Sequence, residues 1–269
     1  MDSMNGLTTV NVELTSRCNK NCWMCGRRKV ERDYPELAMA YGDMGMKLVT
    51  AISNQLPSGI VVQFHDNGEP LLYPRFGEAV RLFSRQIRCM DTNGKLLLEK
   101  ADEIIGNLDT ITVSTFERDP EADEQYAIVK EFLALKGNRK PNVIVRCLGN
   151  VNPARYEEMG CLIANRTLHH PLGSFQYEQT PTVPEIGICL DALSHLVIHH
   201  TGKVSMCVRF DPKELGVIGD ANVTPLSDIW NSPLRLDALA DHISGNRNGI
   251  SLCSTCDYWG VPTGGPVHE

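Results

Sequence analysis

The chain has 269 residues, 42% of them hydrophobic, and a formal net charge of −7. This composition suits a globular protein with one large and one small domain, and the acidic balance argues against a dedicated nucleic-acid binder, which clusters lysine and arginine on one face. The sequence has no apolar run of the roughly eighteen residues a membrane span needs and no basic-then-apolar leader, so its ten cysteines are expected in the reducing cytoplasm as metal ligands or buried thiols.

Residues 8–14 alternate polar and apolar side chains and read as a first strand. It leads into Cys18, Cys22 and Cys25, three thiols in a C-x3-C-x2-C spacing. Clustered thiolates suit zinc or an iron–sulfur cluster. Three cysteines leave one iron of a cubane open to a chelating amine and carboxylate. Zinc would need a fourth ligand, and the nearest in this half of the chain is His65. The basic run Arg27-Arg28-Lys29 reads as a solvated loop, and 33–42 as irregular.

A helix is expected over 46–56, where Leu48, Val49, Ile52 and Leu56 share a face. A buried strand over 60–64 delivers His65-Asp66-Asn67-Gly68-Glu69-Pro70. Glu69, the Asn67 amide and backbone carbonyls are acceptors suited to an ammonium group. The plainer reading is a polar turn with Glu69 near a helix N-terminus. Next come a helix over 74–84, a strand over 87–90 opening into Asp91-Thr92-Asn93-Gly94, a helix over 101–108, a strand over 110–116 with Ser114 near its end, and a helix over 121–136.

In the strand over 142–147, Val143 and Val145 point one way, Ile144 and Arg146 the other. An arginine in an apolar strand is costly unless paired. Arg146 therefore either forms an ion pair with a sheet-face carboxylate or holds substrate. A helix over 153–166 and a sixth strand over 173–178 complete the series. Six strand–helix alternations imply a parallel sheet with right-handed crossovers. The expected fold is α/β, a partial (β/α)6 TIM-like barrel whose chemistry lies at the strand C-termini.

Pro181 and Pro184 mark a boundary, giving domains 1–183 and 184–269. The second should hold a β-hairpin around Thr201-Gly202 with Cys207 at its end, and a helix opening near 226–232. His199 and His200 are expected on the hairpin surface. Cys189, Cys207, Cys253 and Cys256 can ligate every iron of a second [4Fe–4S] cluster. Four-cysteine zinc is the alternative.

The C-x3-C-x2-C motif after a first strand resembles the radical S-adenosylmethionine (SAM) superfamily. Met24 stands where that family usually has an aromatic residue, and Trp23 lies one place earlier. Asn67-Gly68-Glu69-Pro70 resembles the family's G-G-E-P segment. The order C-x12-G-x4-C, an Ile-Trp helix and C-x2-C resembles the twitch form of the SPASM extension. The resemblance implies two [4Fe–4S] clusters, on Cys18, Cys22 and Cys25 and on Cys189, Cys207, Cys253 and Cys256. It implies SAM contacts from Met24, Asn67, Gly68, Glu69, Pro70, Asn93, Ser114 and Val145.

The implied reaction is SAM cleavage to a 5′-deoxyadenosyl radical, then hydrogen abstraction from a small polar substrate. A closed auxiliary cluster favours oxidation of a sugar or cyclitol carbinol to a ketone, with Arg146 as catalytic candidate holding the substrate oxygen. The implied partner is a one-electron reductant such as a flavodoxin or ferredoxin, with no nucleic acid and no membrane. Competing readings are a radical epimerase using Cys89, Cys147 or Cys161 as hydrogen donor, a peptide-modifying enzyme, and a two-cluster electron-transfer protein without catalysis.

Overall fold

The computed structural model describes residues 4–166, 189–254 and 256. β1 (Thr9–Val12) leads to α1 (Gly26–Asp33), α2 (Met46–Gln55) and β2 (Val61–Phe64). Then follow α3 (Phe76–Leu82), β3 (Ile87–Thr92), α4 (Ala101–Ile104), β4 (Thr110–Phe116), α5 (Ala122–Lys136) and β5 (Asn142–Leu148). α6 (Ala154–Glu157), β6 (Leu162–Arg166), α7 (Leu190–Ser194), β7 (His195–Ile198), β8 (Lys203–Ser205), β9 (Val217–Asp220), α8 (Leu226–Trp230) and α9 (Pro233–Ile243) complete the order.

All nine strands form one sheet, in the order β6-β5-β4-β3-β2-β1-β7-β8-β9. The pairings from β6 through β7 are parallel, and those of β7 with β8 and β8 with β9 are antiparallel. The α/β class expected from the alternation is thus what the chain adopts.

One correction concerns the last elements of the first half. The helix expected over 153–166 is one turn, α6, and then a strand, β6. Gly160 takes a left-handed φ of 73°, which ends the helical run, and Leu162–Arg166 then pair with Ile144–Leu148 of β5. The strand expected over 173–178 and the boundary at 181–184 lie outside the described residues.

Side chains alternate faces along a strand, and here the two faces differ in kind. Val10, Val12, Val62, Phe64, Met90, Ile111, Val113 and Val143 are buried in one cluster with Val49, Ile52, Phe76, Val80, Phe83, Ile104, Val129 and Phe132 of the covering helices. The opposite face carries Asn11, Gln63, Asp91, Thr112 and Arg146, as the register of the paired strands requires. A parallel sheet normally buries both faces behind apolar side chains. A polar second face at the C-terminal edge is the mark of a site.

The cysteine-bearing C-terminal segment extends this sheet across β1, with Thr9 opposite His195 and Val12 opposite Ile198. Its helices are also anchored on the first half. The Leu226 N–H donates to Gln55 of α2 at 2.8 Å, and the Trp230 indole to the Asn5 carbonyl at 3.1 Å. Arg235 stacks on Trp230 with 3.2 Å to the ring centroid. It donates to the Leu193 carbonyl at 2.7 Å, satisfying the C-terminal end of α7. Burial alone lowers its pKa, to about 10.

Candidate active site

The Cys18–Cys25 loop is pinned from several sides. Lys20, between two of the thiols, places its ammonium 2.6 Å from Asp119. Asn93 donates to the Asn19 side chain at 2.8 Å, and the Trp23 indole to the Glu117 carbonyl at 3.0 Å. Arg28 donates to the carbonyls of Cys18 at 3.2 Å and Lys20 at 3.3 Å. The run 27–29 is therefore not a solvated loop. It belongs to α1, and Arg27 is buried, donating to the Ser16 and Met39 carbonyls and stacking on Tyr41.

Burial pushes the Cys22 thiol up to about 12, and the neighbouring Cys25 and Cys18 charges add to it. Cys18 is raised mainly by burial too. Three half-buried sulfurs close together, with Cys18 and Cys22 disfavoured as free thiolates, suit a group whose positive charge offsets three thiolates. The residues thus fit an iron–sulfur cluster. Met24 is half-buried beside them. A cavity of about 760 Å³ is lined by Asn21, Cys22, Trp23, Arg28, Glu31 and Arg32.

The 66–70 segment lies against the backbone that leads into this loop. The Glu69 N–H donates to the Arg17 carbonyl at 2.7 Å. A Cβ on Gly68 would stand 2.9 Å from that same oxygen and closer still to the Thr15 oxygen, so only glycine fits. Pro70 is buried at the start of a short 3-10 turn.

Glu69 is 2% exposed. Its carboxylate accepts from Leu71 N–H at 3.2 Å, the Thr92 hydroxyl at 2.8 Å and Asn93 N–H at 2.8 Å. Burial raises it to about 7, although these hydrogen bonds pull the other way. The side chain braces this segment against the 92–94 turn. Gln125 ties the same turn to β4, donating to the carbonyls of Asn93 at 2.7 Å and Ser114 at 2.9 Å. Ser114 shares the polar face with Arg146, its partner in register. The Val145 side chain points the other way, into a cluster with Cys147 and Tyr156.

On the polar face, Asp91 is the hub. Gln63 donates to one oxygen at 2.7 Å, Arg146 pairs with the other, and His65 Nε2 lies 3.6 Å away. Burial pushes the Asp91 carboxyl up, but the His65 and Arg146 charges outweigh it and leave its pKa lowered. Arg146 thus makes the ion pair, and a quarter of its side chain stays exposed.

A second cluster sits at the C-terminal ends of the adjacent β2, β1 and β7. Glu13 accepts from the Asn67 N–H at 3.2 Å and from the His200 N–H at 3.0 Å, and lies 2.8 Å from His200 Nδ1. Asp66 lies 2.9 Å from His199 Nδ1 and accepts from the Asn67 amide at 2.6 Å. Burial raises Glu13, yet the His200 hydrogen bond and the His199 charge bring it to about 2. Burial lowers His199, yet Asp66 lifts it to about 9. His199 and His200 are therefore not surface residues, with side chains 15% and 9% exposed. Glu13, Asp66 and His199 donors lie within 4.8 Å of one another, and their mutual pairing clasps the hairpin to the 66–70 segment.

The second thiol set gathers at the opposite end of β7. Cys189 immediately precedes α7, and Cys207 follows β8, which runs antiparallel to β7. Burial raises the Cys207 and Cys189 thiols, and the Cys256 charge acts on both. Cys253 and Cys256 share one turn, with a 3.1 Å hydrogen bond from Cys256 N–H to the Cys253 carbonyl. The donor set suits a closed iron–sulfur site.

Sequence reasoning missed Glu13, Asp66, Asp91 and the buried face of Lys20. For Asp66 and Asp91 the available signal was strand alternation carried one or two residues past the expected strand ends, and for Glu13 its place inside the first strand.

Residues 189–257 match the SPASM family, an iron–sulfur cluster-binding domain. The SAM-dependent 2-deoxy-scyllo-inosamine dehydrogenase of Niallia circulans is 23% identical over 262 residues, 94% of each chain. The structure of BtrN in complex with AdoMet and 2-DOIA has a TM-score of 0.66 at 20% identity, covering 96% of both chains. Native anSMEcpe with bound AdoMet has a TM-score of 0.64 at 12% identity, covering 91% of this chain and 88% of that one. Streptococcus suis SuiB bound to precursor peptide SuiA has a TM-score of 0.62 at 12% identity, covering 94% and 71%. The structural likenesses establish the fold. The family match and the curated relative make this chain a relative of radical SAM enzymes with a SPASM domain. No helix among the described residues is long and apolar enough to cross a membrane.

Proposed function

We propose that this relative of radical SAM enzymes oxidises a carbinol of a small sugar or cyclitol to a ketone. The observation that carries the reading is the polar patch of Arg146, Asp91, Gln63 and His65 on the sheet face, at the C-terminal edge where barrel sites form. The match over 94% of each chain to the SAM-dependent 2-deoxy-scyllo-inosamine dehydrogenase supports it.

In this reading residues 1–183 hold one [4Fe–4S] cluster on Cys18, Cys22 and Cys25 and bind SAM. Residues 184–269 hold a second on Cys189, Cys207, Cys253 and Cys256. Cluster-bound SAM supplies a 5′-deoxyadenosyl radical that takes a hydrogen atom from carbon. The chain's own residues do the rest. Gly68 and the Glu69 backbone set the segment beside the thiol loop, with Met24, Asn67, Pro70, Asn93, Ser114 and Val145 as its further SAM contacts. Arg146 presents fixed donors to the substrate oxygen and stays charged. The closed second cluster serves as one-electron acceptor, and a flavodoxin- or ferredoxin-type protein as reductant.

The placement of the remaining thiols does not favour epimerisation. Cys147 packs outward with Tyr156. Cys161 precedes β6, and Cys89 lies on β3 two residues before Asp91. Cys147 is near the C-terminal end of β5 but its side chain lies on the opposite face, and Cys89, on the polar face, pairs with Gln63 below Asp91. The test is anaerobic turnover with SAM in deuterated water against a panel of cyclitols and amino sugars that includes 2-deoxy-scyllo-inosamine. A ketone lacking two hydrogens is the expected product. A product of unchanged composition with one solvent deuterium on carbon would replace oxidation by epimerisation.

A further inference from the structure

Oxidation of a carbinol removes a hydrogen atom, a proton and an electron. The second cluster and SAM account for the electron and the hydrogen atom, and the proton needs an acceptor. We propose that His65 is that acceptor, taking the hydroxyl proton at Nδ1. The assignment rests on the oxidation reading above.

Three observations carry it. First, position: His65 follows β2 directly and stands at the C-terminal edge, one residue from Asp66 and four from Glu69. Its carbonyl is fixed by the Asn11 amide at 3.2 Å. Second, orientation: Nε2 faces the Asp91 carboxylate at 3.6 Å, and the same carboxylate holds Arg146. One anion therefore aligns an imidazole and a guanidinium on a common face. Third, His65 Nδ1 is buried with no hydrogen-bond partner. Buried polar atoms are nearly always partnered, so such a nitrogen is open to an ordered water, a ligand or a proton-transfer role. A partnerless nitrogen beside a substrate-holding arginine is a base without its acid.

Among the described residues, the competing groups on this face are already committed. Arg146 stays protonated. Asp91 is held as an anion by Arg146 and Gln63. Glu13 and Asp66 are engaged by His200, His199 and Asn67. Imidazole is the ordinary proton acceptor near neutral pH, and the Asp91 charge stabilises the imidazolium that forms. The step balances: the C–H hydrogen goes to the 5′-deoxyadenosyl radical, the O–H proton to His65, and the last electron to the auxiliary iron–sulfur cluster as the C=O bond forms.

The test uses reconstituted holoenzyme and the carbinol that the wild type oxidises in the panel above. His65→Gln keeps size and polarity without a base. It should keep 5′-deoxyadenosine formation within a few-fold, while ketone per 5′-deoxyadenosine falls about 10²-fold, the scale of general base catalysis. A substrate-centred radical should then accumulate in freeze-quenched samples read by electron paramagnetic resonance. His65→Ala with added imidazole should regain ketone. If both products fall together in His65→Gln, with no radical and no rescue in His65→Ala, the residue is structural and the assignment is overturned. Ketone at the wild-type ratio in His65→Gln overturns it equally. No ketone from the wild type with any carbinol removes the oxidation reading, and the assignment with it.

Discussion

The Lys20–Asp119 pair allows the attachment of the thiol loop to be measured. Lys20 and Asp119 side chains are 3% and 0% exposed, and their charges stand 2.6 Å apart. Phe116 covers the ammonium, with 4.9 Å to its ring centroid. Asp119→Asn leaves that ammonium buried against a neutral amide. Removing one partner of a buried pair costs about 3–5 kcal/mol. Glu121, at 3.6 Å and 34% exposed, recovers part of this, so the expected loss is about 3 kcal/mol. That is a roughly 100-fold change in the folding equilibrium. The double variant Lys20→Met with Asp119→Leu buries no charge and should lose less than either single variant. Anaerobic urea unfolding, followed by fluorescence, measures wild type, Asp119→Asn, the single variants Lys20→Met and Asp119→Leu, and the double variant. The single variants should also slow SAM cleavage, because the pair holds the backbone between Cys18 and Cys22. An Asp119→Asn stability within about 0.5 kcal/mol of wild type, the range of ordinary surface changes, would refute the reasoning.

Gly68→Ala forces a Cβ to 2.9 Å from the Arg17 oxygen and should cost about 1–3 kcal/mol while weakening SAM binding, read by equilibrium dialysis. A variant with normal affinity would show that the 66–70 segment does not seat SAM. Cys22→Ala should abolish 5′-deoxyadenosine formation yet keep half of the iron, whereas Cys207→Ala should keep some SAM cleavage but yield little ketone. Iron content falling to zero in either variant would argue against two independent thiol sets. The Glu13–His199 clasp has opposite limbs in pH. Glu13 lies at about 2 against an ordinary 4.5, so its contribution is complete above that ordinary value and is lost as pH falls toward 2. His199 lies at about 9 against 6.5, so its contribution is complete below 6.5 and is lost as pH rises through 9. Glu13→Gln should flatten the acid limb of melting temperature against pH, and an unchanged limb would contradict the clasp.

The legible parts of this chain are those encoded locally. Three thiols in eight residues announce a metal loop whatever the fold, and alternation places the strands from β1 to β5 to within a few residues. The misreadings are non-local. Residues 153–166 show apolar positions compatible with a helix, but the free edge of β5 pairs with Leu162–Arg166 and overrides it. His199 and His200 look like hairpin surface because their carboxylate partner Glu13 is 187 residues away. Arg146 takes the ion-pair alternative, and its partner Asp91, 55 residues earlier, fixes its guanidinium on the polar face.

The largest non-local effect is the pairing of β7 with β1. Read in sequence, the second cysteine set belongs to an appended hairpin that could sit anywhere. In the structure it shares a sheet with the first. The Glu13 N–H donates to the Ile198 carbonyl at 2.9 Å, so the thiol loop lies beyond one end of β7 and Cys189 and Cys207 at the other. β7 has four residues, about 13 Å at 3.3 Å per residue. A rigid strand thus fixes the spacing of the two thiol sets, whereas a flexible linker would leave it variable. In the proposed oxidation, a substrate at the C-terminal edge would meet His65, Asp91 and Arg146, and the second thiol set would lie beyond the far end of β7.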